Sequence, residues 1–213
     1  MGAATVPTDA LLVQATLPAG AAAQLPALLL RLRSALPGSS VQVHAAFSPA
    51  QSVFYAYLHL AGRTQSEPSV AASLEATLKS EWPQLQKLRV SRLEKVLDKA
   101  GASAGTQAVF HYVVEMDPES GWMPQLADWY DTEHMPGLAT VPGCIRASRF
   151  LNHDHGPLSL ACYDLVSQDT LGSAPWLAVR ETEWSSRMRP HFTHTVRTMF
   201  DLVADAATPQ AQG

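Results

Sequence analysis

Trp129, Tyr130, Glu133 and His134 lie close together in the stretch ADWYDTEHMPGLATVPGCIRASRF, residues 127–150. A histidine beside a carboxylate exchanges protons near neutral pH. A tyrosine hydroxyl donates a hydrogen bond to a developing oxyanion, and flat aromatic rings wall a site for an aromatic or polycyclic ligand. The chemistry this set suits is proton transfer on a small molecule. His134 would serve as general base or acid and Glu133 as second proton carrier or orienter. Tyr130 would be the hydrogen-bond donor, with Trp129 shaping the pocket.

These residues need a helix to hold them. At about 100° per residue over 122–135, Met123, Leu126, Trp129 and Tyr130 share one side. Glu133 falls near the middle of that apolar arc and His134 at its edge, while Asp128, Asp131 and Thr132 point away. A carboxylate turned toward an apolar interface has its charged form disfavoured unless it is paired. Pro136–Gly137 reads as the helix stop. The same residue types admit a purely structural reading. Glu133 then pairs with Arg146 or Arg149 on the following strand, and His134 meets the last-turn carbonyls. Trp129 and Tyr130 would simply be core.

Further out, one order of elements occurs twice. Residues 10–17 read as a strand, 21–36 as a helix stopped by Pro37–Gly38, and 41–47 and 52–62 as a hairpin. A helix over 67–82 and a strand over 86–96 follow. After the small-residue segment AGASAGT (100–106), strand 106–117, helix 122–135, strands 144–150 and 158–166, helix 174–190 and strand 194–203 repeat the pattern. Each half has the β-α-β-β-α-β order of a ferredoxin-like unit. The fold class is therefore α+β, with units over 9–99 and 106–205. Residues 1–8 and 206–213 read as frayed tails. One parity of the first hairpin carries Gln42, His44 and Ala46 opposite Tyr55, Tyr57 and His59. Two such mixed faces packed together would make a barrel within one chain.

The run W-Y-D-T-E-H-M-P followed by A-x-V-P-G-C-I-R-A-x-R-F resembles the EthD-like branch of the dimeric α+β barrel superfamily. The matching positions are Trp129, Tyr130, Glu133, His134, Pro136, Val141, Pro142, Gly143, Arg146 and Arg149. The resemblance covers about the second half of the chain. It implies ferredoxin-like units paired sheet to sheet, a pocket between helices and sheet, and Arg146 and Arg149 as substrate-binding groups. Superfamily relatives include cofactor-free cyclases, lactone isomerases, monooxygenases and haem-binding enzymes, so the fold selects no reaction. Helix 21–36 carries neither His nor Glu, which predicts one site per chain in the second half.

Other groups weigh less. The HDH run at 153–155 lies among turn formers and lacks further ligands for a metal. Arg187, Arg189, His191 and His194 close a helix and open a strand, where basic groups are at home, though they are placed to border a pocket. His111 and Glu115 share a strand face, and His44 and His59 another. All four read as core or interface groups.

Composition narrows the classes. A net charge of −4 with no basic patch argues against nucleic acid or an anionic membrane surface as partner. No apolar stretch is long enough to span a bilayer, and the amino-terminal residues lack a secretory pattern. Cys144 and Cys162 form neither a disulfide framework nor a zinc spacing, which fits the reducing cytoplasm. No Walker loop, Rossmann fingerprint, G-x-S-x-G or H-E-x-x-H occurs. The expectation is a small-molecule enzyme of isomerase, cyclase or lyase type without organic cofactor or metal, acting on a carbonyl or hydroxyaromatic compound. A non-catalytic binding protein and a haem-binding or monooxygenase-type protein are the alternatives. Sheet edges left by an imperfect barrel would favour a homodimer.

Overall fold

The apolar run of the first strand is buried on both sides, because this chain closes a barrel with helices outside it. The computed structural model describes residues 4–18, 20–36 and 41–203. Strands β1 (Val6–Thr16), β2 (Gln42–Ser48), β3 (Val53–Ser66) and β4 (Gln86–Ala100) belong to the first unit. Its helices are α1 (Leu25–Arg33) and α2 (Pro68–Glu81). The second unit has β5 (Phe110–Pro118), β6 (Cys144–Asn152), β7 (Ser159–Leu165) and β8 (Phe192–Leu202). Its helices are α3 (Met123–Trp129), α4 (Met135–Ala139), α5 (Ala174–Arg180) and α6 (Glu183–Met188).

The strand order round the barrel is β1-β3-β2-β8-β5-β7-β6-β4, and β4 returns to β1. Every neighbouring pair is antiparallel. Two four-stranded ferredoxin-like sheets thus join at two seams. The β4–β6 seam is long, running from Leu93 opposite Asn152 to Ala100 opposite Arg146. The β2–β8 seam is short, with Ala46 opposite Leu202 and Phe47 opposite Asp201. The sheet edges that would have favoured a homodimer are consumed by this closure.

Alternation along the strands divides the core into three. Leu11, Val13 and Ala15 face α1, whose Leu25, Leu28, Leu29 and Leu32 recur at helical spacing, and α2, which buries Ala71, Leu74 and Leu78. Leu12, Tyr55, Tyr57, Val113, Phe150 and Phe200 fill the barrel lumen. Met116, Trp129, Tyr130, Tyr163 and Trp176 form the layer between the second sheet and its helices. No helix of the described residues is long and apolar enough to cross a membrane.

Several expected boundaries moved. Val6–Thr8 are not a tail: they pair with the polar Thr64–Ser66, where backbone pairing extends β1 and β3 beyond the apolar pattern. β4 likewise runs to Ala100 along β6, beyond its apolar pattern. β5 begins at Phe110, so the linking segment is longer than 100–106. The helix expected over 174–190 breaks at Thr182, which caps α6 by accepting from the Ser185 N–H. The expected stop at Pro37–Gly38 lies outside the described residues, as do 206–213.

The largest change concerns Pro136. The helix does not end there; it passes through a π-turn over Tyr130–His134, and α4 continues to Ala139. Met135 N–H donates to Tyr130 C=O, one residue further back than in an α-helix. The wide turn accommodates a proline that has no N–H to offer. Gly143, of the VPG turn, then redirects the chain at a φ of 95°, and a Cβ there would run into Thr170.

Candidate functional site

The π-turn carries Trp129, Tyr130 and His134 against the outer face of the second sheet, all three buried. His134 lies flat on Trp129, ring centroids 4.1 Å apart and planes 23° from parallel, and edge-on to Tyr130. Trp129, Tyr130 and His134 line a small cleft of about 40 Å³ that opens to solvent. Tyr112 and Tyr163 rise from the sheet floor, and Trp176 and Arg180 come from α5. Arg189 and Arg197 complete the rim.

Two polar atoms at this cleft are orphaned. Neither Trp129 Nε1 nor His134 Nδ1 has a hydrogen-bond partner among the described residues. Such groups are rare in native interiors, and they cost stability unless something binds them. Burial, reinforced by Arg180 and Arg189, pushes His134 down to about 3, so the imidazole is neutral at pH 7. Burial raises the Tyr130 hydroxyl, which stays protonated and able to donate. No carboxylate lines the cleft, and Arg180, Arg189 and Arg197 form no ion pair among the described residues. An aromatic-walled slot rimmed by three guanidiniums and holding a neutral imidazole suits a small, flat anion.

Glu133 is placed elsewhere. It is half-buried, and its Oε1 accepts a 2.7 Å hydrogen bond from Thr182 Oγ1. The π-turn carries it off the sheet-facing arc toward the α5–α6 junction, and it pairs with neither Arg146 nor Arg149. Arg149 is buried beneath α3, its guanidinium 5.3 Å from the centre of the Tyr130 ring. Its Nη2 donates to Asp131 Oδ1 at 3.1 Å, so Asp131 does not simply point away. Arg146 is bound to Asp98 at 2.6 and 2.7 Å and faces the barrel mouth. The structure therefore brings Trp129, Tyr130 and His134 together in the cleft, stacks Arg149 on the Tyr130 ring without making it part of the cleft lining, and turns Glu133 and Arg146 elsewhere.

Arg189 lies where the sequence places a pocket border, whereas nothing local in the sequence distinguishes Arg180 or Arg197. An isolated arginine on a helix or a strand carries no local signal of the cleft it will rim. Arg187 is exposed. His191 stacks on Trp122 and bonds Glu119, and His194 is exposed beside Asp117. The HDH turn fastens the two units: buried Arg92 of β4 donates to both carboxylate oxygens of Asp154. His153 meets Glu94, and His155 meets Glu75.

The lumen holds the remaining titratable groups. Glu115 accepts from Tyr55 Oη at 2.6 Å and Gln14 Nε2 at 3.0 Å, while burial raises its pKa. At the other end His44 and His111 meet Asp164, with His59 stacked on Tyr57 nearby.

No protein-family model matches this chain, and no curated protein matches it either. Solved structures do. An anthrone oxidase-like protein is 12% identical with a TM-score of 0.65, covering 92% of each chain. A candidate monooxygenase from Fusobacterium nucleatum subsp. nucleatum is 8% identical with a TM-score of 0.63, over 96% of this chain and 94% of that one. A chlorite dismutase from Candidatus Nitrospira defluvii is 8% identical with a TM-score of 0.59, over 92% of each. The neighbours are ferredoxin-like α+β barrel proteins, and at such identities the likeness speaks to the fold alone.

Proposed function

We propose that this protein is a small-molecule enzyme that moves a proton on an anionic carbonyl or hydroxyaromatic compound held in the helix-side cleft, without an organic cofactor. One observation carries the reading: a neutral imidazole whose Nδ1 has no partner faces a rim of guanidiniums that have no carboxylate partner, within aromatic walls. The arginines hold the ligand's carboxylate or phenolate, and Trp129 Nε1–H donates to one of its oxygens. His134 takes the proton from the acidic carbon or hydroxyl. Negative charge developing on the ligand oxygen is met by the guanidiniums and by the Tyr130 hydroxyl. The anion also offsets the repulsion that Arg180 and Arg189 exert on an imidazolium, which raises the basicity of His134 when ligand is bound. Glu133 acts through Thr182, fixing the junction between the helix of Arg180 and the turn leading to Arg189. It is a positioning residue. The EthD-like resemblance of residues 127–150 supports the same choice of helix, and the reducing cytoplasm is the compartment we infer.

A haem does not fit this cleft as it stands. The space falls short of a tetrapyrrole, and His134 is held flat against Trp129. Two assays test the proposal. Binding of hydroxybenzoates is followed by quenching of tryptophan fluorescence, since Trp129 and Trp176 line the site. Loss of α-proton NMR signal from β-diketones in deuterium oxide follows the chemistry. Exchange above the buffer rate that vanishes in His134→Phe is the expected result. Saturable binding without exchange would instead make the protein a binding module, and the absence of both would end this reading.

A further inference from the structure

At the mouth of the barrel, three side chains from three strands converge. His44 lies on β2 of the first unit, and His111 and Asp164 lie on β5 and β7 of the second. His44 Nε2 is 3.5 Å from His111 Nδ1 and 3.3 Å from Asp164 Oδ1, and His111 Nδ1 is 2.7 Å from Asp164 Oδ1. A metal ion set about 2.1 Å from each atom, the ordinary zinc–nitrogen and zinc–oxygen length, lies less than an ångström out of their plane. The three atoms are thus already spaced for one ion to bond all of them.

The surroundings agree with this use. His111 is fully enclosed, and its other nitrogen, Nε2, lies 3.2 Å from Tyr57 Oη. Tyr57 Oη in turn lies 3.6 Å from Cys162 Sγ. When Nε2–H donates to the tyrosine oxygen, the Nδ1 lone pair is left free for a metal, the outer-shell arrangement that orients ligating histidines. In front of the triad is a solvent-connected pocket of about 20 Å³, walled by Phe150 and His59. Water or a small oxygen ligand has room to complete the coordination. Arg146 also borders the pocket, but its charge is balanced by Asp98.

We infer that His44, His111 and Asp164 form a binding site for one divalent transition-metal ion of the zinc or iron(II) class, with open positions facing the barrel mouth. Two imidazoles and one carboxylate on one side of an ion are the donor set that such metals share. The site is completed only by both halves of the chain, and it lies at the end of the short β2–β8 seam. Bound metal therefore staples that seam. The inference is independent of the helix-side cleft.

The test is titration of chelator-treated full-length protein with Co²⁺, followed by its visible d–d absorption, and with Zn²⁺ by calorimetry. One ion per chain is expected, with a higher Tm in excess Zn²⁺. His44 is only half-buried, so His44→Ala should fold normally while losing both the absorption band and the thermal shift. Tyr57→Phe should weaken binding by about 10-fold through its effect on His111. The double variant His153→Ala/His155→Ala should bind as wild type. Absence of saturable Co²⁺ binding would overturn the inference. So would binding that survives His44→Ala but is lost in the double variant.

Discussion

Trp129 and His134 lie ring on ring, 4.1 Å between centroids, and each presents a buried nitrogen with no partner. A packed core that is merely structural tends to remove such atoms, whereas a binding site keeps them for its ligand. Replacing His134 with Phe keeps the stacking and deletes the orphan. The variant should be as stable as wild type or about 1 kcal/mol more so, while hydroxybenzoate affinity falls and β-diketone exchange stops. Urea unfolding and the exchange assay together check this. Loss of stability with activity intact would make His134 a core residue only.

The same residue sets a pH dependence. Its folded pKa, about 3, lies below the ordinary histidine value near 6.5. The unfolded chain therefore binds the extra proton first, and stability falls as pH drops from about 6.5 toward 3. Tyr130, Arg180 and Arg189 face the imidazole, and the two arginines oppose its protonation. Burial also pushes His59 down, to about 4, so it contributes over part of that range. The His134→Phe variant should show a shallower loss than wild type, with equal slopes above pH 7.

Glu133 separates positioning from chemistry. Glu133→Gln retains an acceptor for Thr182 and should change stability by less than about 0.5 kcal/mol. Glu133→Ala leaves that hydroxyl without its carboxylate and should cost about 1 kcal/mol. In the exchange assay the Gln variant should remain active. An inactive but stably folded Gln variant would return Glu133 to the proton-carrying role.

Arg92 and Asp154 tie the two units through a buried guanidinium. Asp154→Ala leaves Arg92 charged and enclosed, and the expected loss is about 3 kcal/mol. Arg92→Met combined with Asp154→Leu removes both charges and should recover much of it. Chemical denaturation of the three proteins reads the difference.

Gly143 accounts for the glycine of the VPG turn. Gly143→Ala meets both a positive φ and Thr170, so a destabilisation of about 2 kcal/mol is expected. Gly62, with open space around it, is the control, and Gly62→Ala should be nearly neutral.

The order of strands and helices was legible in the sequence because each element buries one face with its own periodicity. Leu25, Leu28, Leu29 and Leu32 fix α1, and alternation around Tyr55 and Tyr57 fixes the lumen face. Helix-side Trp129, Tyr130 and His134 were legible for the same reason, since neighbours on one turn are set by local geometry. The π-turn was not, because it depends on how Pro136 is accommodated against the sheet, and it turns Glu133 toward Thr182 instead of the sheet-facing arc. Polar strand ends such as Thr64–Ser66 carry no pattern, since their backbone pairing is indifferent to side chain.

What the tertiary structure alone decided is which distant residues share a space. His44, His111 and Asp164 are far apart in sequence, and no spacing rule joins them. Only closure of the β2–β8 seam brings the first unit's histidine to the second unit's histidine and aspartate. Arg180, Arg189 and Arg197 rim the cleft of His134 only because α5, the turn after α6, and β8 fold over one space. The sequence by itself determined the repeated elements and the aromatic helix, through contacts a few residues long. The charge of the cleft and the triad at the barrel mouth arise from long-range packing, where position in space is independent of distance along the chain.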